Sequence, residues 1–138
     1  MKKNFWLIIV PIALLLIVAG VIGLHYHSLP NYETPFKAEN VMSVTVSTFW
    51  ESKTIQDKET IENLITQLNK VKIISNYDEN KDPIEAGTYG YTICFVLQNG
   101  NVVEYSVVST HGLKYKFIDE TGKAYSVRNI KLGKIGIQ

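Results

Sequence analysis

Residues 91–127 read YTICFVLQNGNVVEYSVVSTHGLKYKFIDETGKAYSV, and this stretch decides the fold. It contains three short polar segments that each end in glycine: Gln98-Asn99-Gly100, Thr110-His111-Gly112 and Glu120-Thr121-Gly122. A three-residue hairpin loop is typically a type I turn followed by a residue in the left-handed region, which glycine adopts without steric strain. The spacing therefore predicts three consecutive hairpins, and so a four-stranded antiparallel meander.

The length of each loop determines which side chains share a face, because a one-residue slip reverses every side chain of a strand. A two-residue loop at Gly100 would place Phe95 opposite Glu104, whereas a three-residue loop places Phe95 opposite Val103 and gathers the apolar residues together. The same loop length at the other two turns pairs Val107 with Tyr115, Tyr105 with Phe117, Phe117 with Tyr125 and Tyr115 with Val127. The predicted buried face consists of Tyr91, Ile93, Phe95, Leu97, Val103, Tyr105, Val107, Leu113, Tyr115, Phe117, Tyr125 and Val127.

Upstream of the meander, the pattern indicates strand, helix and strand. The segment from Val41 to Trp50 is rich in β-branched residues, and Val71 to Tyr77 is a second apolar segment. Between them, Asp57 suits a helix N-cap and is followed by an apolar stripe at i, i+3, i+4 and i+7, formed by Ile61, Leu64, Ile65 and Leu68. We predict one α+β domain over residues 41–138, of order β-α-β-β-β-β, with its helix packed on the meander sheet.

The segment from Phe5 to Leu24 is apolar and follows Lys2 and Lys3. Twenty such residues in a helix span about 30 Å, the hydrocarbon thickness of a bilayer. A signal peptide is the alternative, but its apolar region is usually shorter, and the nearest weak cleavage site, around Ala19, lies inside the run. We therefore predict a cytoplasmic stub and retained transmembrane anchor over residues 1–24, in contact with the lipid bilayer through Phe5 to Leu24.

The two lysines before the anchor predict a cytoplasmic N-terminus by the positive-inside rule, and thus an extracytoplasmic domain at the cell membrane. Residues 25–40 contain Pro30 and Pro35 and no sustained period, which predicts an extended tether. Beyond the anchor, 12 basic residues face 13 acidic ones. This balance favours neither nucleic acid nor a general attraction to anionic lipid. The single cysteine, Cys94, excludes an intrachain disulfide.

The outward face of the meander carries a candidate binding site. In the inferred register Lys114 lies opposite Arg128, with Lys116 on the same face, and such like charges repel. This suggests a site for an acidic partner, although the two long side chains could instead point into water. Trp50 follows Phe49 directly, so that on a strand one of the two would be exposed as an anchor for a partner. Core or edge packing is the alternative for both.

A second pattern in the sequence is a candidate site for a metal ion. Asp78, Asn80 and Asp82 have the alternate spacing of a calcium loop, but Pro83 replaces the glycine of its sharp turn and Tyr89 occupies the position of the bidentate glutamate. The alternative is a solvated acidic loop. Catalytic signatures are absent from the sequence, and Cys94 in mid-strand is too far from His111 at a turn for nucleophilic chemistry. We therefore predict neither a cofactor nor an enzyme.

Three motifs carry a resemblance: V-x-V-S from Val44, I-x-D-K-E-x-I-E-x-L-I-x-x-L from Ile55, and Y-x-I-x-F-x-L-x-N-G from Tyr91. The pattern resembles small membrane-anchored or secreted domains of unknown function in Gram-positive bacteria. The resemblance implies a cell-envelope location and a strand-helix-meander fold, and brings no catalytic residues. The expected function is a non-catalytic interaction domain for a protein or envelope partner. The alternatives are an envelope inhibitor or immunity-type protein and a small hydrolase.

Overall fold

The computed structural model describes residues 2–84, 88, 90–110, 114–128 and 130. Helix α1 spans Lys2–Ser28, and a short 3₁₀ turn spans Ala38–Asn40. The remaining elements are β1 Val41–Ser47, β2 Ser52–Ile55, α2 Lys58–Leu68, β3 Lys72–Asn76, β4 Tyr91–Leu97, β5 Val102–Ser109, β6 Tyr115–Ile118 and β7 Ala124–Arg128.

The strands form one antiparallel sheet in the order β2-β1-β4-β5-β6-β7-β3. The predicted α+β class is confirmed. The predicted order β-α-β-β-β-β has one strand fewer than the strand-helix-strand segment and the four-stranded meander give together, which is six, and the seventh strand of the sheet, β2, was not predicted. Strand β2 was missed because its first three residues are exposed and show no apolar alternation. The predicted first strand also extended to Trp50, whereas β1 ends at Ser47 and the chain turns back to form β2.

Two of the three predicted hairpins have the predicted register. Phe95 lies opposite Val103, and Phe117 lies opposite Tyr125. Gly100 and Gly122 have φ of 88° and 86°, the left-handed conformation that a glycine at the end of the loop allows. The spacing of the glycines therefore predicted these two turns correctly, because each turn ends with a residue in a conformation that a side chain would strain.

The register of the β5–β6 hairpin differs from the prediction by two residues. Val107 lies opposite Phe117, whereas the prediction placed Val107 opposite Tyr115. The pairing extends to Thr110, whose N–H and hydroxyl both donate to the carbonyl oxygen of Lys114, at 3.1 and 3.0 Å. The predicted turn residues His111 and Gly112, together with Leu113, lie outside the described residues. Because the shift is two residues, each side chain keeps its face of the sheet.

Helix α2 follows its sequence pattern. The Asp57 carboxylate accepts a hydrogen bond from the Thr60 N–H at 3.1 Å, which caps the first turn. The four predicted stripe residues are the buried residues of the helix: Ile61, Leu64, Ile65 and Leu68.

The predicted tether over residues 25–40 is wrong from Pro30 onward, because this segment is part of the domain. Tyr32 and Phe36 are only 7% and 8% exposed and belong to the hydrophobic core. The N–H of Tyr32 donates to the Val71 carbonyl oxygen at 2.9 Å. The physical reason is that one helix is too narrow to cover the apolar face of the sheet. A sheet of seven strands is about 29 Å across, whereas a helix is about 10 Å wide. The segment covers the part of the sheet that α2 leaves open.

The core between the two layers is largely aromatic. The rings of Tyr105 and Phe117 stack at 5.6 Å between centroids, and Phe95 meets Tyr105 edge-on at 5.8 Å. From the other layer, Phe36 packs on Phe95 at 4.9 Å and Tyr32 on Phe117 at 5.0 Å. Every residue of the predicted face that the structure describes is buried or partly buried, so the predicted core is confirmed within those residues.

Candidate functional site

Helix α1 is long and apolar enough, over Asn4–His25, to cross a membrane. None of the residues in its most apolar window is buried against the rest of the chain. An apolar helix that buries no side chain inside its own protein needs another apolar environment. The length, composition and exposure of α1 are thus those of a helix that can cross a membrane.

The join between α1 and the domain is short. The helix ends at Ser28, and the carbonyl oxygen of Pro30 already accepts a hydrogen bond from the Ile73 N–H at 2.9 Å. Asn31 then forms an isolated antiparallel bridge with Lys72, at the start of β3. Strand β3 is an edge of the sheet, so the end of α1 is attached to the domain at this edge.

The outward face of β6 and β7 is covered in part by the loop that follows β3. Lys114 Nζ lies 3.6 Å from Asp82 Oδ1, and the Ser126 hydroxyl donates to Asp82 Oδ2 at 3.2 Å. The Tyr77 hydroxyl donates to the Asp82 carbonyl oxygen at 2.8 Å. Lys116 Nζ lies 4.6 Å from the centroid of the Tyr77 ring, a cation–π contact. Lys114 and Lys116 thus already have partners within the chain.

Arg128 has a basic neighbour that the sequence did not predict. The predicted β6–β7 register is present, with Tyr115 opposite Val127, which places Lys114 and Arg128 at the same end of these two strands. On the other side of β7, the strand residue directly opposite Arg128 is Lys72 of β3. Sequence reasoning missed Lys72 because β3 and β7 are separated by more than 40 residues, and no spacing rule links such strands.

The candidate calcium loop makes local contacts. Asp78 Oδ1 accepts a hydrogen bond from the Asn80 N–H at 2.9 Å, an ordinary Asx turn. The carboxylate of Asp82 is directed at Lys114 and Ser126. Within the part of the chain that the structure describes, no three His, Cys, Asp or Glu side chains are grouped to hold a metal ion. Tyr89, at the position of the bidentate glutamate in a calcium loop, lies outside the described residues.

The tip of the β1–β2 hairpin carries two exposed aromatic side chains. Phe49 is 72% exposed and Trp50 is 73% exposed, and their rings meet edge-on at 5.2 Å. The turn is closed by the Thr48 N–H, which donates to the Glu51 carbonyl oxygen at 2.7 Å. Strand alternation does not apply in a turn, and this is why both rings, and not one of them, are exposed.

A buried polar cluster joins the two layers of the domain. The hydroxyl oxygens of Tyr32 and Tyr105 are hydrogen-bonded at 3.0 Å, and the Tyr32 hydroxyl also donates to the Glu120 carboxylate. Burial, followed by these hydrogen bonds, raises the pKa of Tyr32 far above its usual value. Burial likewise raises the pKa of Tyr105. Both hydroxyls are therefore protonated at neutral pH, which suits a structural contact better than a catalytic base.

We expect the stability of the domain to fall above pH 10. The pKa of a tyrosine hydroxyl is ordinarily 10, and burial raises the pKa of Tyr32, Tyr105 and Tyr91 in the folded state. The unfolded chain therefore releases protons above pH 10 that the folded domain still holds. The contribution of these buried hydroxyls to the free energy of unfolding is therefore complete below pH 10 and is lost as the pH rises above it.

Thermal unfolding followed by circular dichroism across the alkaline range checks this. The unfolding midpoint should be level from neutral pH to about pH 9.5 and should fall above it. The Tyr32→Phe variant should show a shallower alkaline fall. A midpoint that stays level to about pH 11 in the unsubstituted protein would contradict the expectation.

Cys94 is half-buried on the outward face of β4, opposite Glu104. Burial, followed by the charge of Glu104, raises the pKa of the Cys94 thiol. A protonated thiol is a poor nucleophile. His111, the only histidine weighed as its partner, lies outside the described residues.

Comparison of the chain with protein-family models, with curated proteins and with solved structures finds no match in any of the three.

Proposed function

We propose that the protein is a single-pass membrane protein whose domain lies outside the cytoplasm and binds a protein partner of the cell envelope without catalysing a reaction. Helix α1 supports the anchor by its length, composition and exposure. Lys2 and Lys3 support the orientation by the positive-inside rule.

The observation that carries the proposal is the exposed pair Phe49 and Trp50 at the hairpin tip. Large aromatic side chains dominate the binding energy of protein interfaces, with tryptophan the most enriched. Two adjacent rings held against each other by an edge-on contact lose little freedom when a partner covers them. The hairpin thus presents a small, preorganised apolar contact.

Strand β2 next to this tip supports a protein as the partner. Because Thr48 and Glu51 form a hydrogen-bonded pair, the alternation of an antiparallel ladder directs the backbone groups of Lys53 and Ile55 toward β1. The same alternation directs the N–H and C=O groups of Ser52 and Thr54 to the side of β2 on which the structure describes no further strand. A partner in extended conformation can bond to these groups while its side chains cover the aromatic tip.

The reactive side chains of the domain support a binding role over catalysis. The hydroxyls of Tyr32 and Tyr105 are buried and protonated, and the thiol of Cys94 has a raised pKa. The Asp82 carboxylate is engaged by Lys114 and Ser126. A general base needs an accessible group whose pKa lies near the working pH.

Trp50→Ala is expected to weaken partner binding about 30-fold, since a hot-spot tryptophan contributes about 2 kcal/mol or more. Phe49→Ala should have a smaller effect in the same direction. The measurement is quantitative affinity capture with the full chain in membranes, followed by titration of the captured partner. The matched control is Val102→Ala, a truncation on β5 of another exposed apolar side chain, 60% exposed.

A further variant tests the outward face within the same experiment. Lys114→Glu/Arg128→Glu should leave capture unchanged if the partner binds at the hairpin tip. Equal recovery of the partner with Trp50→Ala and Val102→Ala would exclude the tip as the binding site. Loss confined to the charge-reversal variant would assign the partner to the outward face instead.

A further inference from the structure

Basic side chains are concentrated beside the point where α1 joins the domain. Lys72 and Arg128 are opposite each other on β3 and β7, and Lys116 shares their face of the sheet through its pairing with Ser126. Lys114 precedes Tyr115 at the same end of the strands as Arg128. We call these four residues, Lys72, Lys114, Lys116 and Arg128, the anchor-side patch. Asp82 offsets one of its charges, and Asp78 and Glu79 precede it in the same loop, which lines a surface depression together with Lys116.

The rest of the domain has more acidic than basic residues. Glu104 and the turn from Asp119 to Gly122 lie at the other end of the strands from Arg128, as the β5–β6 and β6–β7 pairings show. Outside the patch and the loop of residues 78–82, the described part of the domain has nine acidic and five basic residues. The acidic ones are Glu33, Glu39, Glu51, Asp57, Glu59, Glu62, Glu104, Asp119 and Glu120, and the basic ones are Lys37, Lys53, Lys58, Lys70 and Lys123. The charge of the domain is therefore unevenly distributed, with the basic excess beside the anchor.

The length of the join sets how far the patch can lie from the bilayer. The apolar part of α1 ends near His25, and three further helical residues rise about 4.5 Å. Leu29 to Asn31 add at most about 10 Å. Asn31, which bridges to Lys72, then lies within about 15 Å of the hydrocarbon boundary. The headgroup layer is about 5–7 Å thick, and its field extends about 8 Å further.

We propose that the anchor-side patch rests on anionic lipid headgroups of the same membrane that holds α1, and so fixes the orientation of the domain on the bilayer. Each basic side chain held near an anionic surface is attracted to it, and the acidic end of the domain is repelled. The hairpin tip lies on the edge of the sheet opposite β3 and remains accessible to a partner. This inference rests on the proposed membrane anchoring of α1.

The test uses the full chain in nanodiscs of phosphatidylcholine alone or with about a third phosphatidylglycerol. A fluorophore is placed on exposed β3 by Ser75→Cys in a Cys94→Ser background, and a small share of the lipid carries a headgroup nitroxide that quenches it. Quenching should be at least about two-fold greater in the anionic discs. It should fall to the phosphatidylcholine level in about 0.5 M salt, where the Debye length is roughly 4 Å.

The decisive variant is Lys72→Gln/Arg128→Gln, which should abolish the difference between the two lipids. Its matched control is Lys53→Gln/Lys58→Gln, which removes the same charge from exposed positions on β2 and at the start of α2. An unchanged thermal unfolding midpoint in both variants shows that each is folded. Equal quenching in the two lipids, or an equal loss in both variants, would overturn the inference. Failure of the unsubstituted chain to float with lipid would overturn the anchoring proposal and this inference together.

Discussion

A chain that begins at Val41 is expected to be unfolded, whereas a chain that begins at Leu29 is expected to fold. The shorter chain lacks Tyr32 and Phe36, both buried against the sheet. Removing a buried aromatic side chain costs about 3–5 kcal/mol. Two such losses are comparable to the whole stability of a small domain, about 5–15 kcal/mol. The shorter chain also loses the backbone bonds from Tyr32 to Val71 and from Ile73 to Pro30.

Circular dichroism in the near and far ultraviolet, followed through thermal unfolding, distinguishes the two chains. Both lack α1, so a difference between them reflects residues 29–40 alone. The longer chain should melt in one cooperative transition, and the shorter one should show no near-ultraviolet signal. A cooperative transition of the shorter chain within a few degrees of the longer one would show that the segment is dispensable.

Phe95→Ala is expected to destabilise the domain by about 3–5 kcal/mol. Phe95 is fully buried at the centre of the sheet, where its ring contacts Phe36 of the second layer and Tyr105 of the neighbouring strand β5. Truncation leaves a cavity between two layers that the aromatic cluster holds together, and a rigid sheet cannot close it. The free energy of unfolding in urea measures the loss.

Phe49→Ala is the matched control, because it makes the same substitution at a ring that is 72% exposed. Its effect on the unfolding free energy should be within about 0.5 kcal/mol. Similar losses for the two variants would mean that the hairpin tip is part of the core. A negligible loss for Phe95→Ala would contradict the packing of the two layers.

The features that the sequence predicted correctly are local in the chain. Gly100 and Gly122 set two turns by their backbone conformation, and a strand pair joined by such a turn has only one register that buries its apolar residues. The cap at Asp57 and the stripe of α2 depend on neighbours within one or two turns. The predicted β5–β6 register differed from the observed one by two residues because Thr110 bonds to Lys114 and so extends the strand pairing. The position of Gly112 in the sequence does not indicate this extension.

The features that the sequence did not predict depend on residues far apart. Tyr32 and Phe36 were assigned to a tether because their segment contains Pro30 and Pro35 and has no sustained period. Their rings nevertheless belong to the second layer, which has to cover a wide sheet. Lys72 and Arg128 lie opposite each other only because β3 pairs with β7 at the edge of the sheet. The exposure of Phe49 and Trp50 follows from the turn after Ser47, which no glycine or proline marks in the sequence.

The bridge between Asn31 and Lys72 has a consequence for self-association. A sheet with two open edges can add further copies at both ends and so grow into a fibre. In this domain the chain's own segment from Pro30 to Tyr32 occupies the start of the β3 edge. A strand from another molecule therefore cannot pair with the start of β3 unless it first displaces this segment.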